Sequence, residues 1–343
     1  MSMAVEAQVL ERARARAGGD ASLGLFLERA IAAIDPDDLA RQNPQSLIEA
    51  LVTSHERLTD GPTEVTRVLA TPPAQPGAPL LLDIISPDMP FIVDSALGAL
   101  RAMGGVIRLF AHPVLQLSRG RVVSEGGAPV SMLHIQSDPV TDTAALVAEL
   151  EATLRVVALA VGDWQPMLER VRRAATGLDV LKPALRDEAD RFVDWLTEHN
   201  FTFLGLREYR LKGKELTPVE GSGLGILRDP DLKVLRSGPH YVESTPELVA
   251  FLEGPDPVLV TKANVRSRVH RRAHMDYVGI KLFDAAGTVT GELRVVGLYT
   301  AQALAAPHTD VPLIRRKIAE VMRESGFDPL GHAGRTLLGA LDS

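Results

Sequence analysis

The stretch Leu80–Leu117, LLLDIISPDMPFIVDSALGALRAMGGVIRLFAHPVLQL, restricts the possible folds of this chain more than any other. It reads as strand, tight turn, helix, strand. Leu80–Ile85 is a short, mostly apolar run, the pattern of a buried strand. Ser86-Pro87-Asp88-Met89-Pro90 stops it, because proline lacks the ladder N–H and pre-sets φ for a turn. Asp88 can then offer its carboxylate to the free N–H groups of a helix beginning near Pro90. Val93, Leu97 and Leu100 fall at helical spacing, with Ala96 and Met103 beside them. Gly104-Gly105 end the helix, since glycine enters the left-handed region cheaply. Val106–Leu117 returns as a strand, with an irregularity at His112-Pro113. The result is a βαβ unit, and its turn is the first place to expect a ligand.

A length of 343 residues allows two or three domains, each with its own core. Met3–Ala17, Ser22–Ile34 and Ser46–Leu58 read as helices, so residues 1–70 form a helical lead-in packed on something larger. Val130–Gln136 is a further strand. A helix from Thr141 to Val161 carries Val147, Leu150, Leu154, Val157 and Val161 on one face. These elements predict an ACT-like, ferredoxin-like α+β domain over 79–176, with helices on one face of its sheet. Over 184–325 a helix precedes strands at Phe201–Leu211, Val258–Lys262, Tyr277–Asp284 and Val289–Tyr299, the last two joined by Ala285-Ala286-Gly287. A closing helix at Asp310–Ser325 makes this a PAS-like, mainly antiparallel domain flanked by helices. Residues 326–343 read as the start of a following segment.

The net charge of −7 offers no global basic field, which argues against nucleic acid or an anionic membrane as partner. Zero cysteines exclude disulfides, thiolate metal sites and cysteine nucleophiles, and fit a reducing compartment. With no apolar run of spanning length and no signal peptide, the expectation is a cytoplasmic protein. Gly221-Ser222-Gly223-Leu224-Gly225 resembles a phosphate-cradling loop, but Pro230 opposes a helix directly after it, so a turn in the sheet is favoured. Lys262–Arg272 (KANVRSRVHRR) holds five cations and His270 with no acidic residue between. The simpler reading is a solvated basic loop. The alternative is an anion site or acidic-partner surface using Lys262, Arg266, Arg268, His270 and Arg271. The histidines form no ligand pair with a carboxylate, so no metal is expected. No serine elbow or P-loop appears, and no catalytic set of residues is assigned.

Several blocks together resemble the N-terminal part of the large NAD-specific glutamate dehydrogenases. They are DMPFIVDS (Asp88–Ser95), HPV (His112–Val114), WLTEHNFTFLGLREY (Trp195–Tyr209) and GSGLGILRD (Gly221–Asp229), followed by TKANVRSRVHR (Thr261–Arg271), MDYVGIKLFD (Met275–Asp284), GLYT (Gly297–Thr300) and PLIRRKIAEVMRESGFDPLGH (Pro312–His332). The pattern departs at Leu206, where Tyr is expected, and at Arg272-Ala273-His274, where Pro-Val-Tyr is expected. The resemblance implies a regulatory and oligomerising head made of ACT-like and PAS-like modules. The parent reaction, L-glutamate with NAD to 2-oxoglutarate, ammonia and NADH, would be performed by residues beyond Ser343, so no cofactor is expected in this chain. It also implies an amino-acid effector at Asp88, Met89, Pro90 and Phe91, or a copy that only packs and oligomerises. The alternative is a stand-alone ACT–PAS amino-acid sensor that signals to a partner protein.

Overall fold

In the computed structural model, residues 2–328, 331–334 and 336 are described. The backbone divides into two compact units, Met1–Ala158 with Arg268–Arg272, and Leu159–Ser267 with Ala273–Ser343.

The first unit begins with helices α1 (Ser2–Ala17), α2 (Ala21–Ala32), α3 (Pro36–Ala40) and α4 (Pro44–Thr59). Each of the last three has a polar cap: Asp20, Asp35 and Asn43 accept from first-turn N–H groups. There follow β1 (Arg67–Thr71), β2 (Leu80–Pro87), α5 (Ile92–Ala102), β3 (Ile107–Ala111), β4 (Val114–Ser118), β5 (Arg121–Val123), β6 (Ala128–Ser137) and α6 (Thr143–Gly162). β1 pairs with β2 and β2 with β6, while β3 and β4 run end to end along the other edge of β6, all antiparallel. β2 and β3 are therefore parallel to each other with β6 between them, a split βαβ arrangement. The expected irregularity at His112-Pro113 is the break between β3 and β4.

Helices cover both faces of this sheet, not one as expected. Leu80, Leu82, Ile84, Leu133 and Ile135 pack with Ile92, Ala96 and Leu100 of α5 and Leu146, Leu150 and Leu154 of α6. Ile85, Leu115, Val130 and Met132 pack with Phe26, Leu27, Leu47 and Leu51 of α2 and α4. The reason lies in β2, where LLLDII leaves no solvent face for either parity of side chain. β1 also lies inside the stretch expected to be helical.

One polar residue interrupts that apolar strand. Asp83 is 1% exposed, and its Oδ2 accepts from Arg57 Nη1 at 2.6 Å. Its Oδ1 accepts from Ser54 Oγ at 2.8 Å and lies 2.9 Å from His134 Nδ1. Burial pushes the Asp83 carboxyl up, but His134, Arg57 and Ser54 outweigh it and hold the group below its ordinary value.

Two histidines of this unit make its stability depend on pH. Burial lowers His55, whose Nε2 meets Ser22 Oγ at 3.0 Å, and burial also lowers His112. Their folded values lie below the ordinary 6.5, so below that pH the unfolded chain binds more protons. This contribution to stability is complete above 6.5 and is lost as pH falls through it. The urea midpoint of the unit is therefore expected to drop between pH 7.5 and pH 5.5; an unchanged or higher midpoint at the lower pH contradicts this.

The second unit contains α7 (Trp164–Thr176), α8 (Pro183–Trp195), β7 (Phe201–Lys212), β8 (Glu215–Pro218), β9 (Leu224–Gly225), β10 (Leu235–Ser237), β11 (His240–Val242) and α9 (Pro246–Glu253). It continues with β12 (Val258–Arg266), β13 (His274–Phe283), β14 (Val289–Tyr299), α10 (Ala301–Ala305) and α11 (Ile314–Ser325). Its main sheet is antiparallel, in the order β12-β13-β14-β7-β8, with β9 also on β7. One face packs Phe203, Leu206, Val278, Ile280, Leu293 and Val295 against Met167, Val171, Phe192 and Val193 of α7 and α8. α8 ends as expected before Asn200, where His199 is left-handed and Asn200 Nδ2 donates to Trp195 O at 2.9 Å.

The opposite face is polar yet buried. Tyr209, Tyr277, Lys281, Glu292 and Arg294 all point there, each no more than 1% exposed. Lys281 Nζ reaches Gly254 O at 2.5 Å, and Arg294 Nη2 donates to Glu243 O at 2.6 Å, so the excursion between β8 and β12 covers this face. Gly326 ends α11 in the left-handed conformation, as its sequence suggested. The segment expected after it falls largely outside the described residues.

Candidate functional site

The turn after β2 is built by its neighbours more than by its own capping. Asp88 N donates to Pro129 O at 3.4 Å, which keeps the turn beside the start of β6. Asp88 Oδ1 accepts from Ser131 Oγ at 2.6 Å, and Ser131 Oγ lies 3.0 Å from His112 Nε2. A carboxylate only accepts, so Ser131 donates to Asp88 and His112 donates to Ser131. The serine proton is committed to the carboxylate, and His112 cannot act as its base. The buried Ser54–His134–Asp83 group likewise offers no nucleophile, since Ser54 has no solvent exposure.

The expected cap is absent. α5 starts at Ile92, its N-cap residue is Phe91, and no side chain caps it. Phe91 has φ 70°, a left-handed conformation that costs a non-glycine residue about 1–3 kcal/mol and persists only where packing imposes it. Its ring lies 5.4 Å, centroid to centroid, from that of His270, itself left-handed at φ 63°. His270 N donates to Ser95 Oγ at 2.9 Å, and its Nδ1 lies 2.8 Å from Asp94 Oδ2. Arg268 and Arg272 both pair with Glu149 of α6, at 3.2 and 2.9 Å.

The two sequence candidates therefore meet. Asp88 and Pro90 are exposed, Met89 is half-buried against the core beneath α5, and Phe91 faces His270. The basic stretch is not one solvated loop: Arg268, His270, Arg271 and Arg272 belong to the first unit. Lys262 and Arg266 are residues of β12, where Lys262 pairs with Asp276 and Arg266 stands opposite His274. Ser131 and Glu149 were invisible in the sequence, since each gains its role from a partner on another element.

Chemically, the turn presents carboxylates at Asp88 and Asp94 beside a helix start without a side-chain cap. Acceptors for an ammonium and N–H donors for a carboxylate are the two halves of α-amino-acid recognition. Among the described residues no group of three or more His, Asp or Glu is placed to hold a metal. No described helix is long and apolar enough to cross a membrane.

The glycine-rich loop does not fit a dinucleotide. Gly225 N is taken by Asp163 Oδ2 at 2.7 Å, and a Cβ on Gly223 would sit 2.1 Å from Leu227 O. A three-residue 3-10 turn follows in place of a long helix. The loop is a turn in the sheet, as expected, with Arg207 donating to Leu227 O at 2.7 Å beneath it.

Residues 26–154 match the family model of the glutamate dehydrogenase ACT1 domain, and residues 311–343 that of glutamate dehydrogenase helical motif 1. Over 98% of its length the chain is 32% identical to the NAD-specific glutamate dehydrogenase of Halomonas elongata. It is kin to the large NAD-specific glutamate dehydrogenases. The enzyme of that name from Pseudomonas aeruginosa is 33% identical over 76% of the chain, and the one from Mycobacterium tuberculosis 25% over 88%. The chain spans only 22%, 17% and 19% of these three relatives. The glutamate dehydrogenase ACT1 match begins within α2 and ends within α6, so it includes helices on both faces of the first sheet and the whole Asp88 turn.

Proposed function

We propose that this chain is a regulatory and assembly segment of an NAD-specific glutamate dehydrogenase, and that hydride transfer to NAD occurs on residues outside it. The match of 76–98% of the chain to about a fifth of each relative carries this reading. In the loop least unlike a nucleotide cradle, Gly225 N is already taken by Asp163 and no long helix follows, which supports it. The antiparallel order of the second sheet, with a long excursion over one face, favours a PAS-like module there. Self-association would be through the parent enzyme.

Within this reading the Asp88 turn is the effector site. Asp88 takes the ammonium of an amino acid, whose carboxylate lies on the first N–H groups of α5. A charged hydrogen-bonded contact of this kind contributes about 1.5–3 kcal/mol. Calorimetric titration with a panel of amino acids is therefore expected to show at least tenfold weaker binding in Asp88→Ala. Binding that survives the substitution unchanged removes the turn as the site.

A further inference from the structure

A cavity of about 290 Å³ opens on the α1–α4 side of the first sheet, at the end of β2 away from the Asp88 turn. Its floor is a cross-strand row, Thr71 on β1, Leu81 on β2 and Gln136 on β6, paired in register. The start of α4 and the Pro72–Pro79 loop form its walls, and Arg108 stands at its rim. The volume is at the small end for a ligand pocket and suits a molecule of amino-acid size.

Gln136 gives the cavity its chemistry. The residue is only 6% exposed, and its Nε2 lies 3.3 Å from His134 Nε2. His134 Nδ1 faces the Asp83 carboxylate at 2.9 Å, and a carboxylate can only accept, so Nδ1 carries the proton. In the Nδ1–H tautomer the Nε2 lone pair accepts from Gln136 Nε2. This fixes the amide: one N–H is used, while the second N–H and the carbonyl oxygen make no hydrogen bond to the described residues. A donor and an acceptor are thus held side by side in a fixed orientation at the cavity floor, open to a ligand that can meet both.

The complement of that pair is another primary carboxamide, which accepts the free N–H and donates to the free carbonyl. A carboxylate accepts from the N–H but sets its charge against the carbonyl oxygen. At the rim Arg108, anchored on Gly77 O at 3.0 Å and on Asp138, offers a cation to an anionic group on the ligand. We propose that this cavity binds a small metabolite with a terminal carboxamide seated on Gln136 and a carboxylate at Arg108. The site is separate from the Asp88 turn, and stands or falls independently of it.

The test uses the full chain, with L-glutamine as probe and L-glutamate as its carboxylate counterpart, titrated calorimetrically. L-Glutamine is expected to saturate one site at least tenfold more tightly than L-glutamate in the unaltered chain, a comparison that needs no variant to fold. Arg108→Ala, on the exposed rim, is expected to weaken L-glutamine at least fivefold, and Gln136→Leu to remove the preference for the amide. Absence of saturable L-glutamine binding, equal affinity for both probes, or loss of the preference in Asp88→Ala with retention in Arg108→Ala would each overturn the proposal.

Discussion

Asp83→Ala is expected to destabilise the first unit by about 3–5 kcal/mol, the usual cost of breaking a buried pair by removing one partner. The substitution leaves Arg57 Nη1 without its acceptor and takes from His134 the carboxylate that holds its proton on Nδ1, while Ser54 Oγ keeps Ala50 O at 3.1 Å. Because β2 and β6 are buried on both faces around Asp83, water cannot readily replace the lost acceptor. Arg57→Met combined with Asp83→Leu removes both charges together and is expected to recover at least half of that loss. Urea midpoints of the three proteins measure this. A single-variant loss under about 1 kcal/mol would mean the group is satisfied from elsewhere. At low pH the same network fails: the Asp83 contribution is present above the unfolded carboxylate value and is lost as pH falls through its depressed folded value.

Arg294→Met is expected to cost the second unit a similar amount, about 3–5 kcal/mol, because it strands Glu292 at 0% exposure. Arg294 lies 3.8 Å from the Tyr209 ring centroid and 5.6 Å from that of Tyr277, and its Nε donates to Tyr277 Oη at 3.1 Å. Burial first, and then Glu292, push Tyr277 well above its ordinary value, so it stays a neutral donor to that carboxylate. Arg294→Lys keeps the charge but loses the planar fork and its stacking, so it is expected to restore less than half of the stability. Gly279→Ala tests the same packing from the opposite strand, since its Cβ would meet Glu292 Oε1 at 2.5 Å. An Arg294→Lys protein as stable as the unaltered one would show that charge alone matters.

The sequence revealed elements whose signals are local. Leu80–Leu117 and the Ala285-Ala286-Gly287 hairpin carry their own turn residues, and their strands and helix appear within a few residues of expectation. Gly326 and Asn200 marked helix ends for the same reason. What the sequence hid depends on distant partners. β1 is a short edge strand without apolar alternation, and β8 to β11 are too brief to outweigh their loop-like composition. Helices on both faces could be inferred only from the absence of a polar parity in LLLDII.

At the candidate site, the turn was legible but its chemistry was not. Asp88 had the type and position of a helix cap. Ser131, 43 residues away, captures it instead, and Phe91 takes the N-cap place in a left-handed conformation. The contact of His270 with Asp94 joins residues 176 apart, so no local pattern could link the basic stretch to the turn.

In the function we propose, these 343 residues steer or assemble a dehydrogenase and its hydride transfer occurs elsewhere. The direct measurement is NADH formation by the purified chain with saturating L-glutamate and NAD, read against the roughly 1–1000 turnovers per second common for enzymes. The expected result is no NADH above the protein-free rate. Sustained, protein-dependent NADH production proportional to chain concentration would contradict it.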